Sequence, residues 1–378
     1  MKKVINYLLK ALMAILFGVL AGVIISLFIK IMTVGMDFLW GKLPFRFNFP
    51  IVPVYPLIVC VVGALIIGLF RKFFGDYPEE LMVILGKVKK DKNYEYKKLP
   101  VIFVGALMPV LFGFSVGPEA GLAGVITAIC YFIKDKLGFN KGEHKKVVKI
   151  VFYIISLVAA VGTMVILNHF FAEGREGFPM AERNLPSGIE WLGLILYIPA
   201  GLILGIFYEV THNELHKVAQ KIPPIVKEVI GGVCVGAVGC MIPLVMFSGE
   251  ESLNNLFYGD IELAPVVLIA IAFLKVAMTN VSIQMGLKGG HFFPLIFAAA
   301  CLGYGVVTLV FPGSVDTLHF AAGIVAGTTL GFTMKKPILV TLILMICFPP
   351  MLLPFILVTA FLGSFVGKKI ESIIEKKK

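Results

Sequence analysis

Two short stretches combine residue types that could hold a small anion in an apolar setting. Ser115-Val116-Gly117-Pro118-Glu119-Ala120-Gly121 and Gly289-Gly290-His291-Phe292-Phe293-Pro294 each interrupt a long apolar run with glycine and proline. Glycine lets a backbone approach a ligand closely, and a helix starting just after the break presents amide N–H groups that no upstream carbonyl satisfies. A carboxylate there, Glu119, can compete with an anion for those amides or simply cap the helix near the interface. Two histidines four apart, His212 and His216, share one helix face that could hold a metal, but the HExxH order is absent and a solvated helix end is the favoured expectation. His291 is expected to be packed or water-facing. The chain carries no Walker loop, dinucleotide fingerprint or nucleophile elbow, so neither a cofactor nor a metal site is assigned.

The elements that must position these residues are membrane helices. Of 378 residues 58% are hydrophobic and only 15% charged, with a mean hydropathy of +0.94, which excludes an ordinary soluble enzyme. Apolar stretches long enough to span a bilayer fall at roughly 11–34, 51–70, 149–171, 191–208, 228–247 and 263–285. Between them, 99–133 and 286–311 are apolar yet broken by Gly and Pro, which predicts half-helices meeting inside the membrane. The net charge of +11 is expected from Lys and Arg gathered in short cytoplasmic loops rather than from nucleic-acid binding. The basic clusters at Arg71–Lys72, Lys87–Lys98, Lys134–Lys149 and Lys368–Lys378 place those loops and both termini on the cytoplasmic side of a cell membrane that the chain crosses several times. Six scattered cysteines without a CxxC are small core residues, not a disulfide framework or a zinc site. The fold class expected is therefore all-α and polytopic, a single membrane domain over 1–378 with an uncleaved first helix and no soluble regulatory domain.

An internal repeat is visible. Phe74-Gly75 with Glu79-Glu80-Leu81 echoes Phe247-Ser248-Gly249 with Glu250-Glu251-Ser252-Leu253 at an offset of 173, and the run after Lys98 echoes the run after Lys275 at 177. The halves are roughly 50–208 and 224–366. Inverted repeats of this kind build transporters whose discontinuous helices turn positive N-termini toward a midplane anion.

Lys98-Leu99-Pro100-Val101 followed by Phe114 to Gly121 resembles the LPV and SVGREGP elements of the CLC chloride channels and chloride/proton antiporters. Leu274-Lys275, Thr279, Ser282 and Gly286 leading to Gly289-Gly290-His291-Phe292-Phe293-Pro294 is similar to the family's spacing before GGxFxP. Ala322-Gly323-Ile324, Lys336-Pro337 and Leu353-Pro354-Phe355-Ile356 resemble its AGMGA, AP and LPxI run. The resemblance covers roughly 70–130 and 270–366. It implies a CLC-like inverted repeat with re-entrant helices, a homodimer with one anion path per subunit, and transport of chloride or a similar anion by a channel or a proton-coupled antiporter. It implies that Glu119 is the gate, occupying the anion's place when ionised and releasing it when protonated. Anion-binding positions carried over are Gly75, Asp76, Ser115, Gly117, Pro118, Ala120, Gly289, Gly290, His291, Phe292, Phe293, Pro294 and Phe348.

The departures are specific. GSGIPE is matched only by Pro78-Glu79, with Gly75 in place of the serine, and Asp76 would repel an anion unless it faces away. The inner tyrosine falls on Phe348 or Pro349, so no hydroxyl is expected there. The inner proton glutamate has Glu173 as its nearest candidate. Gly174-Arg175-Glu176-Gly177 matches GREGP more literally, but its polar surroundings and missing upstream LPV favour Glu119. Alternatives of another kind are transport of fluoride, a cation route through Glu119 and Asp76, or a membrane-embedded enzyme using His291 or His212 and His216.

Overall fold

A computed structural model describes residues 2–46, 54–77, 79, 81–91, 94–136, 146–171, 185–313 and 317–375. The described chain is helical: α1 (Lys2–Met36), α2 (Leu43–Arg46), α3 (Tyr55–Phe74), α4 (Leu81–Asp91), α5 (Leu99–Leu111), α6 (Glu119–Lys136), α7 (Lys146–Phe171), α8 (Leu194–Ala219), α9 (Val226–Met241), α10 (Glu250–Tyr258), α11 (Pro265–Gln284), α12 (Phe292–Val310), α13 (Leu318–Met334), α14 (Pro337–Leu344) and α15 (Leu353–Glu375). Among the described residues the β-type pairing is a single isolated bridge, Gly117 with Gly290. This is the all-α polytopic class expected, with six helical segments among the described residues long and apolar enough to cross a membrane.

The expected spans at 11–34, 51–70, 191–208 and 263–285 fall on α1, α3, α8 and α11. The expected span at 228–247 is corrected: α9 has 16 residues, about 24 Å of rise, and stops where Ile242 leaves helical geometry before Pro243. The break expected within 286–311 falls at 285–291, after which α12 runs unbroken for 19 residues. Pro294 sits in its first turn, where a missing N–H costs no helical bond. By the same logic Pro354 opens α15, part of a sixth spanning segment that the apolar pattern alone did not single out.

The chain forms two compact units. Unit 1 comprises Met1–Ile51, Phe70–Phe112 and Pro118–Arg175. Its long helices α1 and α7 lie against each other along small residues: Ser156 Oγ donates to Ala14 O at 2.9 Å, and a Cβ on Gly22 would stand 2.6 Å from Ala160 O. Ile84, Tyr94, Ile102, Val125 and Ile129 fill the core between α4, α5 and α6. Leu8, Leu12 and Leu16 are exposed on one side of α1, and Leu157, Val161 and Val165 on α7, an apolar surface suited to lipid.

Unit 2 comprises Val52–Leu69, Gly113–Gly117 and Glu176–Lys378. Its centre is α13, buried along nearly its whole length. Without a hydrophobic drive between helices in lipid, close approach depends on residues without bulk. Gly201 of α8 meets Thr328 and Val325 of α13, and Gly327 of α13 meets Thr359 and Ile356 of α15. A Cβ on Gly201 would stand 2.7 Å from Thr328 Cβ and 2.8 Å from Val325 O, so Gly201→Val should destabilise the fold by about 1–3 kcal/mol. Thermal unfolding in detergent micelles should show a lowered midpoint, whereas Gly162→Ala, with nothing within 4 Å of its added carbon, should unfold no earlier than the native chain.

Candidate functional site

The site in unit 2 is built where two stretches of chain leave helical geometry and pair with each other. Gly113 takes a φ of 76° just after α5 and starts an extended strip through Gly117. Gly286, at φ 87°, turns the chain after α11. Gly117 N–H donates to Gly290 O at 2.7 Å and Gly290 N–H to Gly117 O at 2.6 Å. Both strands thereby satisfy backbone groups that lipid could not. A side chain at position 289 would obstruct the pairing, because a Cβ there would lie 2.6 Å from Val116 Cβ.

Helix α11 fixes this strip from behind. Thr279 Oγ1 donates to Lys275 O at 2.8 Å, so the buried Ser115 hydroxyl, 3.1 Å from Thr279 Oγ1, supplies the hydrogen between them. Lys275 is fully buried, and its Nζ donates to the carbonyls of Val245, Met246 and Phe247 at 3.2, 2.7 and 2.8 Å. Phe247 N–H in turn donates to Gly113 O at 3.1 Å. The lysine therefore holds the turn that holds the start of the strip. Its role was not legible beyond its place in the Leu274-Lys275 motif; a lone cation inside an otherwise apolar span was the available signal.

His291 is the N-cap of α12, and the first backbone bond of that helix runs from Leu295 N–H to His291 O at 3.1 Å. The amide of Phe292 thus precedes the helical ladder at its positive end, with Pro294 contributing none. Phe348 is buried in unit 2, its ring edge-on to Phe257 at 5.5 Å and beside Gly323. His212 and His216 differ in exposure: His216 is exposed, as a solvated helix end would be, whereas His212 is half-buried, and both are hydrogen-bonded to α11. Among the described residues no three His, Cys, Asp or Glu side chains gather as a metal site would need.

Unit 1 holds the remaining described candidates. Glu119 is the first residue of α6 and half-buried. The first bond of α6 runs from Leu122 N–H to Pro118 O at 2.8 Å, so the amides of Ala120 and Gly121 lie ahead of its ladder. Gly121 sits against Ala106 of α5, and larger residues would push the two helices apart. Gly75, at φ 97°, ends α3, and Asp76 after it forms an ion pair with Arg71. That pairing neutralises the carboxylate whose repulsion of an anion was at issue. Glu79 pairs with Lys87, whose pKa is raised by that bond. Glu173 and Glu176 lie outside the described residues. Ser115, Gly117, Gly289, Gly290 and His291 are thus brought together in one unit, while Gly75, Asp76, Pro118, Glu119 and Ala120 belong to the other.

Comparison with known proteins adds three findings. The family model described as voltage gated chloride channel matches residues 144–368. A ClcB-like protein of Ralstonia nicotianae, named after chloride channels, is 26% identical over 191 residues, covering 48% of this chain and 43% of its own length, so the chain spans less than half of that relative. Among solved structures, a slow cyanobacterial chloride/proton antiporter superposes with a TM-score of 0.78 at 16% identity over 96% of this chain and 94% of its own. A CLC-type fluoride/proton antiporter gives 0.72 at 16% identity over 95% of each chain. At such identity these likenesses bear on the fold alone.

The lysine anchor can be weighed against the hydroxyl pair it accompanies. Lys275→Met leaves two buried carbonyls and one half-buried carbonyl without their donor and should cost about 3 kcal/mol, while Thr279→Val, which removes one hydroxyl, should cost about 1–2 kcal/mol. Denaturation midpoints of the purified variants in a single detergent should fall in that order.

Proposed function

The chain belongs to the voltage-gated chloride channel family, and from that membership we propose that it carries a small anion, chloride or fluoride, across a bilayer, with Glu119 as the gate. The observation that carries this reading is the reciprocal Gly117–Gly290 pairing beside the start of α12, where the Phe292 amide stands ahead of the helical ladder. A dehydrated halide needs several N–H donors and no fixed negative charge beside them. Ser115 spends its hydrogen on Thr279, so backbone amides rather than that hydroxyl are the donors we assign in unit 2. Unit 1 offers a second helix start of the same kind, with the Ala120 and Gly121 amides behind the Glu119 carboxylate.

A carboxylate at a helix N-terminus and an anion are alternatives for one set of donors, so Glu119 when ionised excludes the anion and when protonated admits it. The same side chain can therefore carry a proton in exchange, which fits the antiporter naming of both structural neighbours. The Asp76–Arg71 ion pair argues against a cation route using that carboxylate. We further infer a homodimer with one path per subunit, inserted in the cell membrane with both termini cytoplasmic, as the basic loop clusters favour.

Anion efflux from proteoliposomes of the purified chain, with chloride, fluoride and nitrate compared, tests this. Efflux should rise as pH falls, because acid protonates the gate, and Glu119→Gln should show the low-pH rate at every pH while Glu176→Gln behaves as native. Native-like pH dependence in Glu119→Gln would remove the gate assignment, and no efflux of any anion would remove the transport reading. The ratio of fluoride to chloride rates decides the preferred ion.

A further inference from the structure

The imidazole of His291 stands at the start of α12 with its hydrogen-bonding capacity uncommitted. The residue is the N-cap of that helix, yet its ring makes no capping bond, and among the described residues no other group hydrogen-bonds to either ring nitrogen. Two aromatic neighbours hold the ring instead. Tyr208 of α8 lies 5.6 Å away at an interplanar angle of 39°, and the Phe292 ring stands edge-on at 4.8 Å and 79°. Neither contact uses a nitrogen. His212, which stacks on the same Tyr208 ring, is bonded to Gln284 of α11 and takes no part. The His291 side chain is half-buried at the head of a helix apolar enough to span a membrane. A ring nitrogen facing hydrocarbon would stay unsatisfied at a cost in free energy, so the exposed part of this ring belongs beside water or a ligand.

Resting on the anion-transport reading above, we propose that the His291 imidazole is the side-chain donor of the unit 2 anion site and sets its selectivity, favouring fluoride over chloride. Donors around this helix start are few. The Phe292 amide stands ahead of the ladder, Pro294 has no N–H, Ser115 gives its hydrogen to Thr279, and Phe348 has no hydroxyl. Lys275 is tied to three carbonyls. An anion that sheds its water here therefore needs a further N–H, and the residue next to Phe292 carries one on its ring. A neutral imidazole offers a single N–H in the plane of the ring, and the two aromatic neighbours restrict where that plane lies. Few donors of fixed direction favour a compact anion that accepts strongly. Fluoride is such an anion, whereas chloride is larger, accepts more weakly and depends on many contacts at once. A residue needed only for packing would not carry these nitrogens: phenylalanine would fill the place between Tyr208 and Phe292 with no polar atom left to satisfy.

Efflux of fluoride and of chloride from proteoliposomes of the full chain, measured side by side at one pH for the native protein, His291→Phe and His291→Gln, tests this. The native chain should pass fluoride faster than chloride. His291→Phe, which keeps an aromatic ring and removes the donor, should lower the fluoride-to-chloride ratio about tenfold, the contribution of one hydrogen bond to a charged group, with the chloride rate changed by less than about twofold. His291→Gln, which supplies an N–H again, should keep the ratio near its native value. A native ratio that does not favour fluoride, or a native-like ratio in His291→Phe, would overturn the assignment, as would an equal fall in both rates, which a packing role predicts. A second measurement needs no variant to fold: fluoride titrated into the detergent-solubilised native chain carrying isotope-labelled histidine should shift a ring-nitrogen resonance more than chloride does, and fluoride that shifts none refutes the donor role. Absence of efflux of either anion from the native chain would instead overturn the transport reading on which the proposal rests.

Discussion

The pair of hydrogen bonds between Gly117 and Gly290 is the contact from which the broken-helix region of unit 2 is organised. Chain that leaves a helix inside hydrocarbon exposes N–H and C=O groups that only protein can satisfy, and each one left unmet costs several kcal/mol. The two broken stretches meet that requirement by becoming partners of each other. Only glycine permits the approach, since a β-carbon at position 289 would run into Val116. The same pairing sits immediately before the first helical bond of α12, so the requirement of the bilayer is met beside the helix start to which we assign the anion.

Helix α11 supplies the second layer of support. Lys275, Thr279, Asn280 and Ser282 are all buried in a segment that is apolar enough to span a membrane. Each has a partner that matches its chemistry: carbonyls for the ammonium, a hydroxyl and a carbonyl for Thr279, an imidazole, a carbonyl and a hydroxyl for Asn280, and the helix's own backbone for Ser282. A buried cation is tolerated when several oxygens replace its hydration, and here those oxygens belong to the turn that clamps Gly113. The polar face of α11 is therefore a frame that holds the strip on one side and the histidines of α8 on the other.

Much of this was legible as pattern. Membrane class, four of the spans and the two Gly-Pro breaks followed from hydropathy and from the rule that helices do not run through such residues. The length of α9 was not legible, because a hydropathy window does not register where backbone geometry turns at Ile242. The helix start expected after the Gly289-Gly290 break falls at Phe292, which puts Pro294 in the first turn of α12, where its missing N–H costs no helical bond. Asp76 carried an ambiguous charge in sequence, and its pairing with Arg71, five residues earlier, resolves that charge locally.

The sequence by itself determined the solvent this chain is built for, the family it resembles and the positions where its helices break, because those depend on composition and near-neighbour chemistry. Which polar groups meet depended on tertiary structure alone. Nothing in a linear reading joins Lys275 to the carbonyls near Phe247, or His216 to Gln284 across 68 residues, because hydrogen-bond partners are set by how helices pack. A motif can mark Ser115 as a candidate donor, but only the fold shows its hydrogen going to Thr279, since one hydroxyl has a single proton to give.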